Sequence, residues 1–184
     1  WHVICGLTGS GMSRLLRALA QRGSQVLDLE ALAAHRGSVL GNLPGAPQPS
    51  QKMFESRVWA ELRRFDATRP VWVEAESKKI GSVRVPEALI AAMWNGECIR
   101  LEASVALRVA MLTEEYQHFV SDPALLGTQL DCLVAHYGQD RIGAWKRLAG
   151  AGEWDALVRE LLENHYDPAY TRSTLKHYPH YADG

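Results

Sequence analysis

The sequence has few cysteines and no long apolar run. Cys5, Cys98 and Cys132 are its three cysteines, and no two of them have the C-x-x-C spacing of a metal or redox motif. An odd, unpaired set is untypical of a disulfide framework, so we expect reduced, packed thiols in a cytoplasmic protein. No apolar run approaches the ~18–20 residues of a transmembrane helix, which predicts that no membrane is a partner.

No leader-like pattern is visible at the start of the given sequence, and its first residue is not methionine. It begins at Trp1, and no basic segment precedes an apolar one there. We therefore expect no secretory signal in the given sequence, and we expect it to be an excised or processed piece. With 184 residues, of which 47% are hydrophobic and 22% charged, we expect one globular domain, or one domain with a helical appendage.

Charge is nearly balanced overall but unevenly distributed. Residues 1–100 carry 13 Lys and Arg against 9 Asp and Glu, whereas residues 101–184 carry 7 against 12. Fifteen of the twenty cationic residues are Arg, whose planar guanidinium suits phosphate. If the protein binds polyphosphate or nucleic acid, we expect the first half to bind it.

Strand-like segments alternate with helical ones only in the first hundred residues. The pattern predicts strands at 2–5, 25–29, 71–76 and 97–101, helices at 12–22, 50–65 and 86–93, and irregular loops at 35–49 and 77–85. Alternation of this kind predicts a parallel sheet. We therefore predict an α/β fold: a P-loop NTPase-like core at 1–103 with flanking helices, and an all-helical extension at 104–184 packed on that core.

A glycine-rich segment, Gly6–Ser13, stands between the first strand and the first helix. It reads G-L-T-G-S-G-M-S and fits the phosphate-binding pattern G-x-x-x-x-G-K-[ST] except at Met12. The predicted phosphate-binding residues are Gly6, Thr8, Gly9, Ser10, Gly11, Met12, Ser13 and Arg14, and Ser13 is placed to reach Mg²⁺. Met12 replaces the motif's lysine and weakens the case for phosphoryl transfer. The alternative is a tight glycine turn without a ligand.

Acidic residues end two of the predicted strands. Glu74 and Glu76 are two residues apart, so both face one side of the third strand. We predict catalytic roles for this pair, with Glu74 joining Ser13 in holding Mg²⁺. The alternative is solvation or pairing with cations of the following loop. Asp28 and Glu30 end the second strand and are open to the same two interpretations.

Basic and titratable side chains lie near these acidic ends. Lys78 and Lys79 follow the third strand and are the best substitutes for the charge missing at Met12. The loop that begins with His35, Arg36, Gly37 and Ser38 is long enough to be functional, although a plain surface loop is an equal alternative. We predict catalytic roles for His35 and Arg36.

Several longer strings are more specific than the glycine loop. They are G-L-T-G-S-G at 6–11, D-L-E at 28–30, H-R-G-S at 35–38, Q-P-S-Q-K-x-F-E-S at 48–56, V-E-A-E-S-K-K-I-G at 73–81 and Y-D-P-A-Y at 166–170. Together they resemble the C-terminal P-loop domain of bacterial tRNA 2-selenouridine synthases, over nearly the whole chain.

The resemblance implies a transferase that acts on the wobble uridine of certain tRNAs. Such enzymes convert 2-thiouridine to 2-selenouridine with selenophosphate, through an S-geranylated intermediate made from geranyl diphosphate. Geranyl diphosphate or a nucleotide would then occupy the glycine loop. We expect contacts from Arg36, Ser38 and Lys52 to tRNA, and stacking of an anticodon base on an exposed Trp or Tyr.

The family also has an N-terminal rhodanese-like domain with a reactive cysteine. None of the three cysteines here matches that loop, so we expect this domain to be absent and the piece alone to be incompetent for selenation. Two other functions remain open. One is a small kinase or NTPase with Arg108 as a lid arginine, which Met12 argues against. The other is a phosphate-binding module without chemistry of its own.

Overall fold

A computed structural model describes residues 1–171 and residue 178. The predicted extension therefore includes residues, 172–177 and 179–184, that lie outside the described part. The described residues divide into two units. The first holds Trp1–Leu7, Gly11–Glu102 and the residues from Tyr170 onward, and the second holds Thr8–Ser10 and Ala103–Ala169.

A parallel sheet organises the first unit. Among the described residues it has four strands in the order β2-β3-β1-β6: β1 His2–Gly6, β2 Gln25–Leu27, β3 Val71–Glu74 and β6 Glu97–Leu101. A small antiparallel hairpin adds β4 Lys79–Ile80 and β5 Val83–Arg84. The helices of this unit are α1 Met12–Gln21, α2 Leu29–Ala33, α3 Gln51–Leu62 and α4 Glu87–Trp94. The predicted α/β class is confirmed.

One face of the sheet carries the main hydrophobic core. Alternate residues of the strands, among them Val3, Leu27 and Val73, are fully buried there and pack with Phe54 and Val58 of α3. The period-two pattern of each strand places these side chains on the same face. The intervening residues, such as Ile4 and Glu74, therefore face the other way.

Two elements were not predicted. The second strand ends at Leu27 rather than Leu29, because the Asp28 carboxylate accepts a 2.8 Å hydrogen bond from the Ala31 N–H and caps the five-residue helix α2. The segment 77–85 was predicted as a loop but contains the β4–β5 hairpin. Both elements are shorter than the windows in which periodicity is visible.

The expectation for two cysteines is wrong. Cys5 of β1 and Cys98 of β6 are paired as a disulfide, with Cα atoms 6.3 Å apart. Their side chains share one face of neighbouring strands, within the Cα separation that a disulfide allows. Cys132 is free, but it is exposed rather than packed.

The second unit is helical in its described residues. Its helices are α5 Val105–Glu115, α6 Gln117–Ser121, α7 Pro123–Leu130, α8 Val134–Gly150 and α9 Trp154–Leu161, with a 3₁₀ turn at Asp131–Leu133 and a π-helical turn at Leu162–Tyr166. Gly138 interrupts α8 with φ of 77°. Residues 167–171 continue as helix after that turn. Within the described residues, no helix is long and apolar enough to cross a membrane.

Candidate functional site

The segment Gly6–Ser13, called the glycine loop below, leaves β1 and enters α1. Gly9 and Gly11 have φ of 78° and 93°, a left-handed conformation that glycine adopts without strain. Gly11 is the N-cap of α1 and gives no side-chain hydrogen bond, and the first turn of α1 contains no acidic residue. The first N–H groups of a helix have no partner inside it, so this helix start is suited to an anion.

Ser10 provides a second polar group in the same loop. Its side chain is only 6% exposed, and its hydroxyl has no hydrogen-bond partner within the described part of the chain. A buried hydroxyl usually has a partner. Met12 and Ser13 are half-buried at the start of α1, and the Met12 thioether is not a charged donor. The loop therefore offers backbone and hydroxyl donors where the motif also has an ammonium group.

Arg108 of α5 holds part of this loop inside the second unit. Its Nε donates a 2.8 Å hydrogen bond to the Thr8 carbonyl, and its two terminal nitrogens donate to the Asp167 carboxylate. Arg108 is 2% exposed. The kinase alternative predicts that Arg108 is a lid arginine. In the structure its guanidinium is buried and hydrogen-bonds to Thr8 and Asp167.

Three carboxylates of the first unit come together at the end of β3. One oxygen from each of Glu30, Glu74 and Glu76 lies within 4.8 Å of the other two, and we call these residues the carboxylate cluster. Glu74 is the last residue of β3, opposite Ile4 of β1, and Glu30 lies in the first turn of α2. The cluster thus contains Glu74 and Glu76, which were predicted as site residues, together with Glu30. For Glu30 the sequence left two interpretations open, a functional site or a solvated strand end.

The cluster carries strong electrostatic repulsion. Burial is the largest cause that raises the pKa of Glu30, followed by the charges of Glu74 and Glu76. Burial and the charge of Glu74 likewise raise the pKa of Glu76. Arg36 acts in the opposite direction and lowers the pKa of Glu30, but by less. A cation bound among these oxygens would relieve the repulsion, and three carboxylates are the hard oxygen donors that Mg²⁺ prefers.

The loop after α2 runs close to the cluster. Gly37 has φ of 66°, and a Cβ atom there would lie 2.9 Å from Glu30 Oε1 and 3.1 Å from Glu76 Oε1. His35 is 4% exposed, and its backbone pairs with that of Asn42 in an isolated antiparallel β-bridge. Burial lowers the pKa of the His35 ring. The His35 ring is therefore packed inside the loop.

Two glutamines fix the surrounding segments, and sequence reasoning did not single them out. Gln48 Nε2 donates to the Ala33 and Ile80 carbonyls, while its Oε1 accepts from the Ser82 N–H and hydroxyl. Gln51 exchanges two 2.8 Å hydrogen bonds with the backbone of Arg84. Both glutamines lie in the string at 48–56 that carries the resemblance, but nothing in that string indicates their contacts.

Two tyrosines bind the backbone just after β3. Tyr170 Oη donates to the Ala75 carbonyl at 3.1 Å, and Tyr178 Oη donates to the Glu76 carbonyl at 3.4 Å. Burial, and then the charge of Glu76, raise the pKa of the Tyr178 hydroxyl. Tyr170 belongs to the string at 166–170, whereas no sequence pattern pointed to Tyr178.

The other predicted residues are more exposed. The Lys78 ammonium lies 5.1 Å from the centroid of the Trp94 ring, and Lys79 is the first residue of β4. Ser38 is half-buried, and its N–H donates to the Arg36 carbonyl at 2.7 Å. Lys52 is exposed on α3. The structure thus brings Glu74 and Glu76 together with Glu30, and leaves Lys52 on a separate helix face.

The fold and the glycine loop define an α/β domain of the P-loop-like class. The tRNA 2-selenouridine synthase AAA domain family matches residues 1–129. The chain belongs to this family, as the resemblance had indicated.

Individual relatives agree with that assignment. The chain is 39% identical to the tRNA 2-selenouridine synthase of Nitrosomonas europaea over 117 residues, which are 62% of this chain and 30% of the relative. It is 34% identical to those of Aeromonas salmonicida and Shewanella sediminis, in each case over 88% of this chain and 42% and 44% of the relative. The chain therefore spans less than half the length of these curated relatives. No solved structure matches it.

Proposed function

We propose that this chain is the phosphate-binding domain of a tRNA 2-selenouridine synthase. In this function the glycine loop binds the diphosphate of geranyl diphosphate or the phosphates of a nucleotide. The observation that carries the proposal is the start of α1, where Gly11 gives no capping side chain and the buried Ser10 hydroxyl has no partner in the described residues. Together these groups form an anion site at a helix N-terminus.

Mg²⁺ is the expected metal ion. The carboxylate cluster would hold it through Glu30, Glu74 and Glu76, and the Ser13 hydroxyl remains the second predicted ligand group. When bound, the ion would neutralise part of the diphosphate charge. The donor set fits, because the three carboxylate oxygens converge and their mutual repulsion favours a cation.

The names of the relatives extend this function to tRNA. The predicted conversion of wobble 2-thiouridine to 2-selenouridine, with geranyl diphosphate and selenophosphate as co-substrates, stays part of the proposal. So do the transferase class, the rhodanese-like partner domain and the cytoplasmic location. The guanidinium of Arg36, one of the residues predicted to contact tRNA, lies close enough to the carboxylate cluster to lower the pKa of Glu30.

Calorimetry of the 184-residue chain with geranyl diphosphate, ATP and GTP, each with and without Mg²⁺, tests the proposal. We expect Mg²⁺-dependent binding of a diphosphate and loss of that binding in Gly11→Ala. Gly23→Ala is the matched control, since Gly23 has a similar φ of 82° at the other end of α1 and open space around it. Equal affinity in both variants, or no binding to the wild-type chain, would contradict the proposal.

A binding module without chemistry is the second candidate, and Met12 is the observation that favours it. A phosphate-binding lysine stabilises charge that develops during phosphoryl transfer, and Met12 cannot do so. Hydrolysis assays of ATP and GTP separate the candidates. Binding without turnover supports a module whose chemistry is completed elsewhere, whereas turnover supports a kinase or NTPase.

A further inference from the structure

Helix α3 presents one outward stripe of side chains that takes no part in the core. Lys52, Ser56, Trp59 and Arg63 recur at spacings of three and four residues, and all four are exposed. Residues at this spacing lie on one face of a helix. Phe54 and Val58 occupy the opposite face and are buried. The four residues are called the α3 stripe below.

Trp59 is the distinctive residue of the stripe. Its side chain is 61% exposed, and of the chain's six tryptophans, all of which lie in the described residues, it is the one that is not buried or half-buried. The guanidinium carbon of Arg63 lies 4.9 Å from the centroid of its ring. A large indole with an open face and a cation beside it is the arrangement on which nucleic-acid bases stack.

The charge of the stripe is complementary to a phosphate backbone. Lys52 and Arg63 are cationic, and the stripe itself contains no carboxylate. The two acidic residues of α3 lie outside it: Glu55 accepts a hydrogen bond from Gln51 of the same helix, and Glu61 accepts one from Arg64, which follows the helix. The Ser56 hydroxyl donates to the Lys52 carbonyl and so remains close to the helix axis. Lys52 and Arg63 therefore lie on either side of Trp59 along the stripe.

We infer that the α3 stripe is a binding surface for single-stranded RNA, on which Trp59 stacks an unpaired base while Lys52 and Arg63 contact the adjoining phosphates. This inference rests on the proposed function, because it names the surface on which tRNA would bind. It places base stacking on α3, a helix that contributes no residue to the carboxylate cluster. It also identifies the exposed aromatic residue that the sequence could not specify.

Fluorescence anisotropy of the 184-residue chain with labelled RNA tests the inference. The probes are an unmodified tRNA transcript, a single-stranded oligouridine, and a blunt RNA duplex with the same number of phosphates. We expect Trp59→Ala to weaken binding of oligouridine and tRNA about 5- to 100-fold, the range of base–aromatic stacking, and to affect the duplex little. Trp59→Phe should restore most of the affinity. Arg63→Ala and Lys52→Ala should each reduce the salt slope for oligouridine by about 0.7.

Leu107→Ala is the matched control, because Leu107 is a large exposed apolar residue of α5. RNA binding that persists unchanged in Trp59→Ala would overturn the inference and leave the proposed function intact. Equal losses for duplex and single strand would also overturn it. Absence of RNA binding by the wild-type chain would contradict the tRNA part of the proposed function. The diphosphate part is tested independently, by calorimetry. If sedimentation shows self-association that Trp59→Ala abolishes while RNA affinity is unchanged, the stripe is a protein interface instead.

Discussion

Arg108 and Asp167 form a bidentate ion pair inside the helical unit, with nitrogen–oxygen distances of 2.5 and 3.0 Å. Arg108 is 2% exposed and Asp167 24% exposed. Because Arg108 also donates to the Thr8 carbonyl, the pair holds the part of the glycine loop that belongs to this unit. Its partners are 59 residues apart in sequence, so no local pattern could have indicated it.

Removing Asp167 should destabilise the chain strongly. Asp167→Ala leaves a buried guanidinium without its counter-charge, and loss of one partner of a buried pair costs about 3–5 kcal/mol. Asp131→Ala is the control, since it breaks an exposed pair with Lys146 in the same unit and should cost at most about 1 kcal/mol. Urea unfolding measures both. Equal losses would mean that water screens the Arg108 pair as effectively as the exposed one.

Two glycines with the same backbone conformation should differ in their tolerance of alanine. Gly45 and Gly81 have φ of 70° and 58°, but nothing surrounds a Cβ at Gly45, whereas one at Gly81 would lie 2.1 Å from Gln48 Oε1. Gly45→Ala should cost only the left-handed strain, about 1–2 kcal/mol. Gly81→Ala should cost about 1–3 kcal/mol more, because Gln48 cannot move without losing its hydrogen bonds to Ile80 and Ser82. Similar free energies of unfolding in the two variants would contradict this role of Gln48.

The sequence predicts the four strands of the parallel sheet, the longer helices of the first unit and the approach of Glu74 and Glu76, because each depends on local periodicity or on where parallel strands end. It leaves Glu30 undecided, because α2 is too short to show a period and its position follows from capping by Asp28. Gln48 and Tyr178 act through backbone groups far along the chain, at Ile80 and Glu76. Their roles depend on tertiary contacts that no local pattern encodes.

The carboxylate cluster should make the metal-free chain less stable as the pH rises. Its raised pKa values mean that the folded state holds protons more tightly than the unfolded state, where carboxyl groups titrate near 4.5. The stability from the protonated cluster is therefore complete below about pH 4.5 and is lost as the pH rises toward the folded pKa values. Glu30→Gln should reduce this loss of stability. The difference in free energy of unfolding between Glu30→Gln and the wild-type chain should therefore grow in favour of the variant from pH 5 to pH 9.

Urea unfolding at several pH values in the presence of a chelator measures that difference in free energy of unfolding. Glu55→Gln, an exposed change on α3, should follow the wild-type pH profile. Parallel profiles for Glu30→Gln and the wild-type chain would show that the cluster does not carry the predicted repulsion.

Restoring a lysine in the glycine loop should tighten phosphate binding. Met12 is the first residue of α1, at the position from which the motif's lysine contacts the phosphates. A hydrogen bond to a charged group contributes about 1.5–3 kcal/mol, so Met12→Lys should increase affinity for a diphosphate by about 10- to 100-fold. Met53→Lys makes the same change of side chain and net charge on exposed α3 and should have little effect. Calorimetry with geranyl diphosphate and ATP compares the two. If both variants bind the diphosphate more tightly by the same factor, the effect is long-range electrostatic attraction alone. If the affinity of neither variant increases, Lys78, Lys79 or an arginine already supplies the charge, or no phosphate binds at this loop.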